Sequence, residues 1–208
     1  MTLDEALAQS PIVAILRGVR PEEVLAIAEA LHGAGVRAVE VPLNSPDPFE
    51  SVRRLTAAFG TRMARGAGTV LSSEDVQRSA EAGARFIVAP NADAAVIRRT
   101  VKLGLEPAPG FATASEAFAA IDAGARHLKL FPAATYGPGH LRQLKAVLPR
   151  EVVVWAVGGV GVGDLGAWWE AGARGFGVGS QIYTPGQSAD ETAAKAAALV
   201  DAARALGG

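Results

Sequence analysis

Short apolar runs alternate with amphipathic stretches along the whole chain. The runs lie at residues 12–16 (IVAIL), 38–41 (AVEV), 63–67 (MARGA), 86–89 (FIVA), 105–108 (LEPA), 127–131 (HLKLF), 152–157 (VVVWAV) and 175–179 (GFGVG). Runs of this length, rich in β-branched residues and bounded by turn residues, read as buried strands. The stretches between them open on helix-start signals: Arg20, Pro21, Glu22 and Glu23; Ser45, Pro46 and Asp47; Ser72 to Asp75; Thr113 to Glu116. A hydroxyl or carboxylate there satisfies orphan amide donors, and acids in the first turn complement the helix dipole.

Four of these stretches end in the same cadence, at Ala34–Gly35–Val36, Ala82–Gly83–Ala84, Ala123–Gly124–Ala125 and Ala171–Gly172–Ala173. Each glycine is expected to take the left-handed cap conformation before the next strand. Strands alternating with helices imply a parallel sheet with right-handed crossovers. Eight strand–helix units, and no dinucleotide loop after the first strand, favour a single (β/α)8 barrel spanning residues 1–208 over an open doubly wound sheet.

Composition narrows the function classes. Half of the 208 residues are apolar, a fifth are charged, and the net charge is -1. That balance offers no basic stripe for nucleic acid and no acidic tail. No cysteine is present, which excludes thiol nucleophiles, disulfides and cysteine metal sites. His32, His127 and His140 show no metal-ligand spacing. No apolar stretch approaches the roughly 20 residues needed to span a bilayer. The first ten residues lack the basic start and apolar run of a signal peptide, so a cytoplasmic protein is expected.

In a barrel of this type the chemistry sits at the C-terminal ends of the strands. The polar groups there are Arg17, Glu40, Thr69, Asn91, Lys129 and two glycine-rich turns. Lys129 stands between Leu128 and Leu130. Side chains alternate along a strand, so the leucines face the helices and Lys129 faces the barrel axis. A desolvated lysine is held toward its neutral amine, which attacks a ketone to form an imine. Glu40, between Val39 and Val41, has the same geometry and could serve as proton donor and acceptor. A structural ion pair between the two is the alternative, although buried pairs are a poor source of net stability.

Gly158 and Gly159 follow the seventh strand, and Gly179 and Ser180 follow the eighth. Loops in those two places frequently bind phosphate through backbone amides, and glycine lets the backbone approach an anion closely. Arg17 shares the inward parity of Ile15 and could meet a carboxylate or phosphate; Thr69 offers a hydroxyl. His127 is expected one layer below Lys129, as packing. Arg65 is expected to point inward beneath Thr69. Trp155, Trp168 and Trp169 read as core or helix-packing residues.

Taken together, the strings AILRG (14–18), EVPLNS (40–45), GAGTV (66–70), KLFPA (129–133) and VGGV (157–160) resemble the 2-keto-3-deoxy-6-phosphogluconate and -phosphogalactonate aldolases over nearly the whole chain. The resemblance implies a class I aldolase that releases pyruvate and glyceraldehyde 3-phosphate from a phosphorylated keto-deoxy sugar acid. It implies no metal or organic cofactor, and a homotrimer. Lys129 would form the imine and Glu40 would shuttle protons. Arg17, Thr69, Phe131, Val157, Gly158, Gly159, Gly179 and Ser180 would bind the substrate. Asn44 and Val157 resemble the galactonate branch, since the gluconate branch usually has an arginine shortly after the glutamate and a threonine before the glycine pair. A non-covalent barrel isomerase or a phosphosugar sensor would keep the turns but form no adduct.

Overall fold

A computed structural model describes residues 1–207. The strands are β1 (Ile12–Ile15), β2 (Ala38–Pro42), β3 (Ala64–Gly68), β4 (Phe86–Val88), β5 (Glu106–Ala108), β6 (Gly110–Phe111), β7 (His127–Leu130), β8 (Val153–Val157) and β9 (Gly175–Val178). All pairings are parallel, in the order β5-β4-β3-β2-β1-β9-β8-β7-β6. The two strands at the ends of that order are consecutive halves of one stave, divided at Pro109, which has no N–H to donate. The lower half pairs with β4 and the upper half with β7. Pro109 itself accepts from Lys129 N at 2.8 Å, so the ring of eight staves closes.

The expected eight helices become nine. The additional α1 (Leu3–Gln9) precedes the first strand and carries a capping box between Thr2 and Glu5. Its Leu3 and Ala6 are buried in the barrel interior with Val13, Ala38, Ala64, Phe86, Ala108 and Trp155, so the helix plugs the N-terminal end. Glu106 accepts from Leu3 N at 2.7 Å, and His127 Nε2 lies 3.0 Å from Asp4 Oδ1. His127 therefore belongs to the floor of the barrel, edge-on to Trp155 at 5.6 Å.

The other helices are α2 (Val24–Gly33), α3 (Pro48–Phe59), α4 (Ser73–Glu81), α5 (Ala94–Lys102), α6 (Ala114–Asp122), α7 (Ala133–Lys145), α8 (Leu165–Glu170) and α9 (Ala189–Arg204). Ser72 caps α4 and Thr113 caps α6 with a reciprocal bond from Glu116, as the sequence pattern requires. The four glycines of the Ala–Gly cadence all have positive φ, between 92° and 107°. An arginine follows each cadence. Arg37 donates to His32 O and Val36 O, and Arg174 to Trp169 O and Ala173 O, each tying off a helix end.

Strand parity divides two apolar layers. Val39, Val41, Leu128 and Leu130 pack between sheet and helices, while Val13, Ile15, Trp155 and Val157 fill the barrel. The interior alternates large and small residues: a Cβ on Gly175 would sit 2.6 Å from Trp155 Cδ1. Arg65 departs from the expectation that it points inward. Ala64, Gly66 and Gly68 hold the inward parity of β3, and Arg65 faces outward, donating to Gly60 O and Gly83 O. Thr69 misleads because its φ of 56° breaks the strand, so parity cannot be counted back through it.

Candidate active site

A cavity of about 400 Å³ opens at the C-terminal end of the barrel. Ile15, Arg17, Lys129, Phe131 and Val157 line it, together with Gly158, Gly159 and Val160 on one rim and Gly179, Ser180 and Gln181 on the next. Of the residues singled out from sequence, Thr69 is half-buried at the end of β3 and is not among those lining the cavity. Gln181 and Ile15 are lining residues that the sequence reading did not single out. Ile15 closes β1 in the inward parity already read for it, and extending the inward parity of β9 past Val178 would have reached Gln181.

Lys129 is 6% exposed and Glu40 is 2% exposed. Both border a small internal space with Ile15, Val88, Trp155 and Val157, so their surroundings are apolar. Glu40 fits beneath Gly68, where a Cβ would stand 2.5 Å from its Oε2. That oxygen has no hydrogen-bond partner. Lys129 Nζ makes no ion pair with Glu40 and instead lies 4.6 Å from the centroid of the Phe131 ring. Desolvation holds the Lys129 amine below the usual lysine range; Glu40 opposes the shift and Arg17 adds to it. Desolvation likewise pushes the Glu40 carboxyl up, against the pull of Lys129 and Arg17. Both shifts favour the uncharged forms, an amine and a carboxylic acid in one apolar enclosure.

The rims supply a different chemistry. Among the described residues, the backbone amides of Gly159, Val160, Ser180 and Gln181 have no protein acceptor. Gly158 and Gly159 take φ of 96° and 76°, which opens the first turn toward the cavity. Four unsatisfied donors on adjacent turns form a cradle for an anion. Arg17 also lines the cavity, and its Nη1 donates to Asn44 Oδ1 at 2.7 Å, on the loop after β2. No group of three or more histidine, aspartate or glutamate side chains among the described residues is placed to hold a metal.

The family model for KDPG and KHG aldolases matches residues 3–198. The chain belongs to that family. It is therefore a member of the class I aldolase group, whose enzymes are carbon–carbon lyases. The 2-dehydro-3-deoxy-6-phosphogalactonate aldolase of Escherichia coli strain K12 is 48% identical over 194 residues, covering 93% of this chain and 95% of the relative. The solved structure described as native KDPGal superposes with a TM-score of 0.93 at 48% identity, covering 94% of this chain and 95% of its own. The KDPG aldolase of Legionella pneumophila, solved with pyruvate captured as a covalent carbinolamine, is 26% identical with a TM-score of 0.79, covering 97% of this chain and 96% of its own. Among the described residues, no helix of this family member is long and apolar enough to cross a membrane.

Proposed function

We propose that this chain cleaves 2-dehydro-3-deoxy-6-phosphogalactonate to pyruvate and glyceraldehyde 3-phosphate through an imine on Lys129. The observation that carries the reading is the buried Lys129 and Glu40, both shifted toward their neutral forms, with Lys129 lining a cavity rimmed by free amides. The covalent carbinolamine captured in the Legionella relative supports an amine nucleophile in this family.

The Lys129 amine adds to the substrate C2 carbonyl, giving a carbinolamine. Glu40 gives its proton to the departing hydroxyl, water leaves, and an iminium remains. The Glu40 carboxylate, directly or through that water, then takes the C4 hydroxyl proton. The C3–C4 bonding pair moves into the iminium, releasing glyceraldehyde 3-phosphate and leaving an enamine. Glu40 protonates C3, and water hydrolyses the resulting iminium to pyruvate and free Lys129. Arg17 and Thr69 hold the pyruvate end. The turns at Gly158 and Gly159, and at Gly179 and Ser180, hold the phosphate.

The preference for the galactonate epimer rests on Val157, which lines the cavity with methyl groups, and on the 48% identity to the Escherichia coli enzyme. A methyl cannot hydrogen-bond a substrate hydroxyl, and one such bond contributes about 1 kcal/mol net, so the gluconate epimer would be turned over more slowly. The chain acts as one domain in a cytoplasmic homotrimer. A 47% identical relative used as a symmetric oligomeric domain in a designed cage supports assembly. Borohydride reduction in the presence of pyruvate tests the central step. One pyruvate adduct by intact mass on the wild type, absent from Lys129→Ala, is expected. A folded wild type that forms none would exclude the covalent route.

A further inference from the structure

The loop after β9 forms one rim of the cavity, and its internal bonds are local. Ile182 N and Tyr183 N return to Gly179 O, and Gln187 bonds Ile182 O and Thr192. Its remaining side-chain hydrogen bonds stay within the segment, as from Thr184 to Gln187, or come from α9, as from Lys195 to Gln187. A single hydrogen bond among the described residues leaves segment 180–188 for any element other than β9 or α9. It runs 2.8 Å from the Tyr183 hydroxyl to Glu23 Oε1, across 160 positions of sequence.

The surroundings make this bond a fixed strut. Tyr183 is 2% exposed. Glu23 stands at the N-terminus of α2, where Arg20 holds its other oxygen at 3.2 Å. Beside it, Gly18 packs so closely on Pro185 that a Cβ would lie 2.7 Å from Pro185 Cγ. The Arg17 loop is anchored separately, by Asn44 to the guanidinium and by Ser45 Oγ to Gly18 N at 2.9 Å. Losing the strut would therefore leave the Ser180 rim without a hydrogen bond to the neighbouring stave, tied there only by the Gly18–Pro185 contact, while Arg17 and Lys129 stay held.

We infer that Tyr183 is a positioning residue, one whose bond to Glu23 sets the Ser180 and Gln181 amides at the distance a substrate phosphate requires. The inference rests on the aldolase reading and on the assignment of this rim to phosphate. A bond from a buried hydroxyl to a carboxylate is among the stronger neutral-to-charged bonds, and its loss would be felt by whatever the rim binds.

The test compares wild type, Tyr183→Phe and Glu23→Gln on the phosphorylated substrate and on its dephosphorylated counterpart, with pyruvate trapping by borohydride as a third readout. For Tyr183→Phe, KM for the phosphorylated substrate should rise about tenfold, on the scale of one buried bond to a charged acceptor. KM for the dephosphorylated substrate and the pyruvate adduct should not change. Glu23→Gln keeps an acceptor for the Tyr183 hydroxyl and should retain most of the affinity. An unchanged KM ratio between the two substrates in Tyr183→Phe would overturn the inference, as would an equal loss on both. Absence of the adduct in the wild type would instead sink the aldolase reading itself.

Discussion

Replacing Glu40 and Lys129 together by methionine should make the protein more stable and catalytically dead. The two side chains are almost fully buried, bordered by Val13, Ile15, Val88, Trp155 and Val157, and do not hydrogen-bond each other. Glu40 Oε2 has no partner, a defect that costs about 1–3 kcal/mol by itself. Methionine approximates both shapes and adapts to irregular spaces. Desolvation holds both groups away from their ordinary ionisation, a cost to the folded state that apolar side chains do not carry. In a chain of this size each kcal/mol moves Tm by about 2–4 °C, so a rise of at least about 2 °C is expected. Lys129→Met alone should gain less, because the raised Glu40 carboxyl and its unpartnered oxygen remain.

The pH dependence gives the sharper check. Lys129 is depressed in the folded state, so its contribution is favourable above the ordinary value of 10.5 and is lost as pH falls toward the folded value. Glu40 is raised, so its contribution is favourable below 4.5 and is lost as pH rises through the folded value. The advantage of the double variant should therefore peak near neutrality and shrink toward both extremes. Thermal unfolding of both proteins across pH 4–11 measures it. A double variant several degrees less stable than wild type at pH 7 would show that the pair is structural and refute the reasoning.

Two further outcomes follow from the same groups and from the barrel floor. The rate of imine formation with pyruvate, followed by trapping, should rise as the amine loses its proton and reach its plateau below pH 10.5, because burial depresses that group; a rise continuing past the ordinary lysine value would contradict the desolvated site. Leu3→Ala should cost about 2–5 kcal/mol in urea unfolding, as for a large-to-small change at a fully buried position, and a loss under about 1 kcal/mol would mean that α1 does not plug the barrel.

The inward aim of Lys129 and Glu40 was legible because strand alternation is a local rule that needs only the neighbours Leu128, Leu130, Val39 and Val41. The glycine caps were legible for the same reason, since positive φ is a property of one residue. The same rule failed at Arg65, where a left-handed Thr69 interrupts the count. Helix α1 left a local signal in the Thr2–Glu5 capping box that went unread, and its role as a plug has meaning only against the open end of a closed barrel. The stave divided at Pro109 could be read as two strands or one until β4 and β7 were seen to bond different halves of it.

The site shows the same division. Which residue types stand at strand ends belongs to the sequence. The depression of the amine, the raised carboxyl and the unpartnered Glu40 oxygen belong to the closed barrel, because desolvation depends on what surrounds a group from every stave. Free amides at Ser180 and Gln181 likewise emerge only in the folded loop, where Ile182 N and Tyr183 N turn back to Gly179 O and leave those two without an acceptor. The bond from Tyr183 to Glu23 joins residues 160 positions apart. Periodicity carries no information over such a distance, and only the folded chain brings the two together.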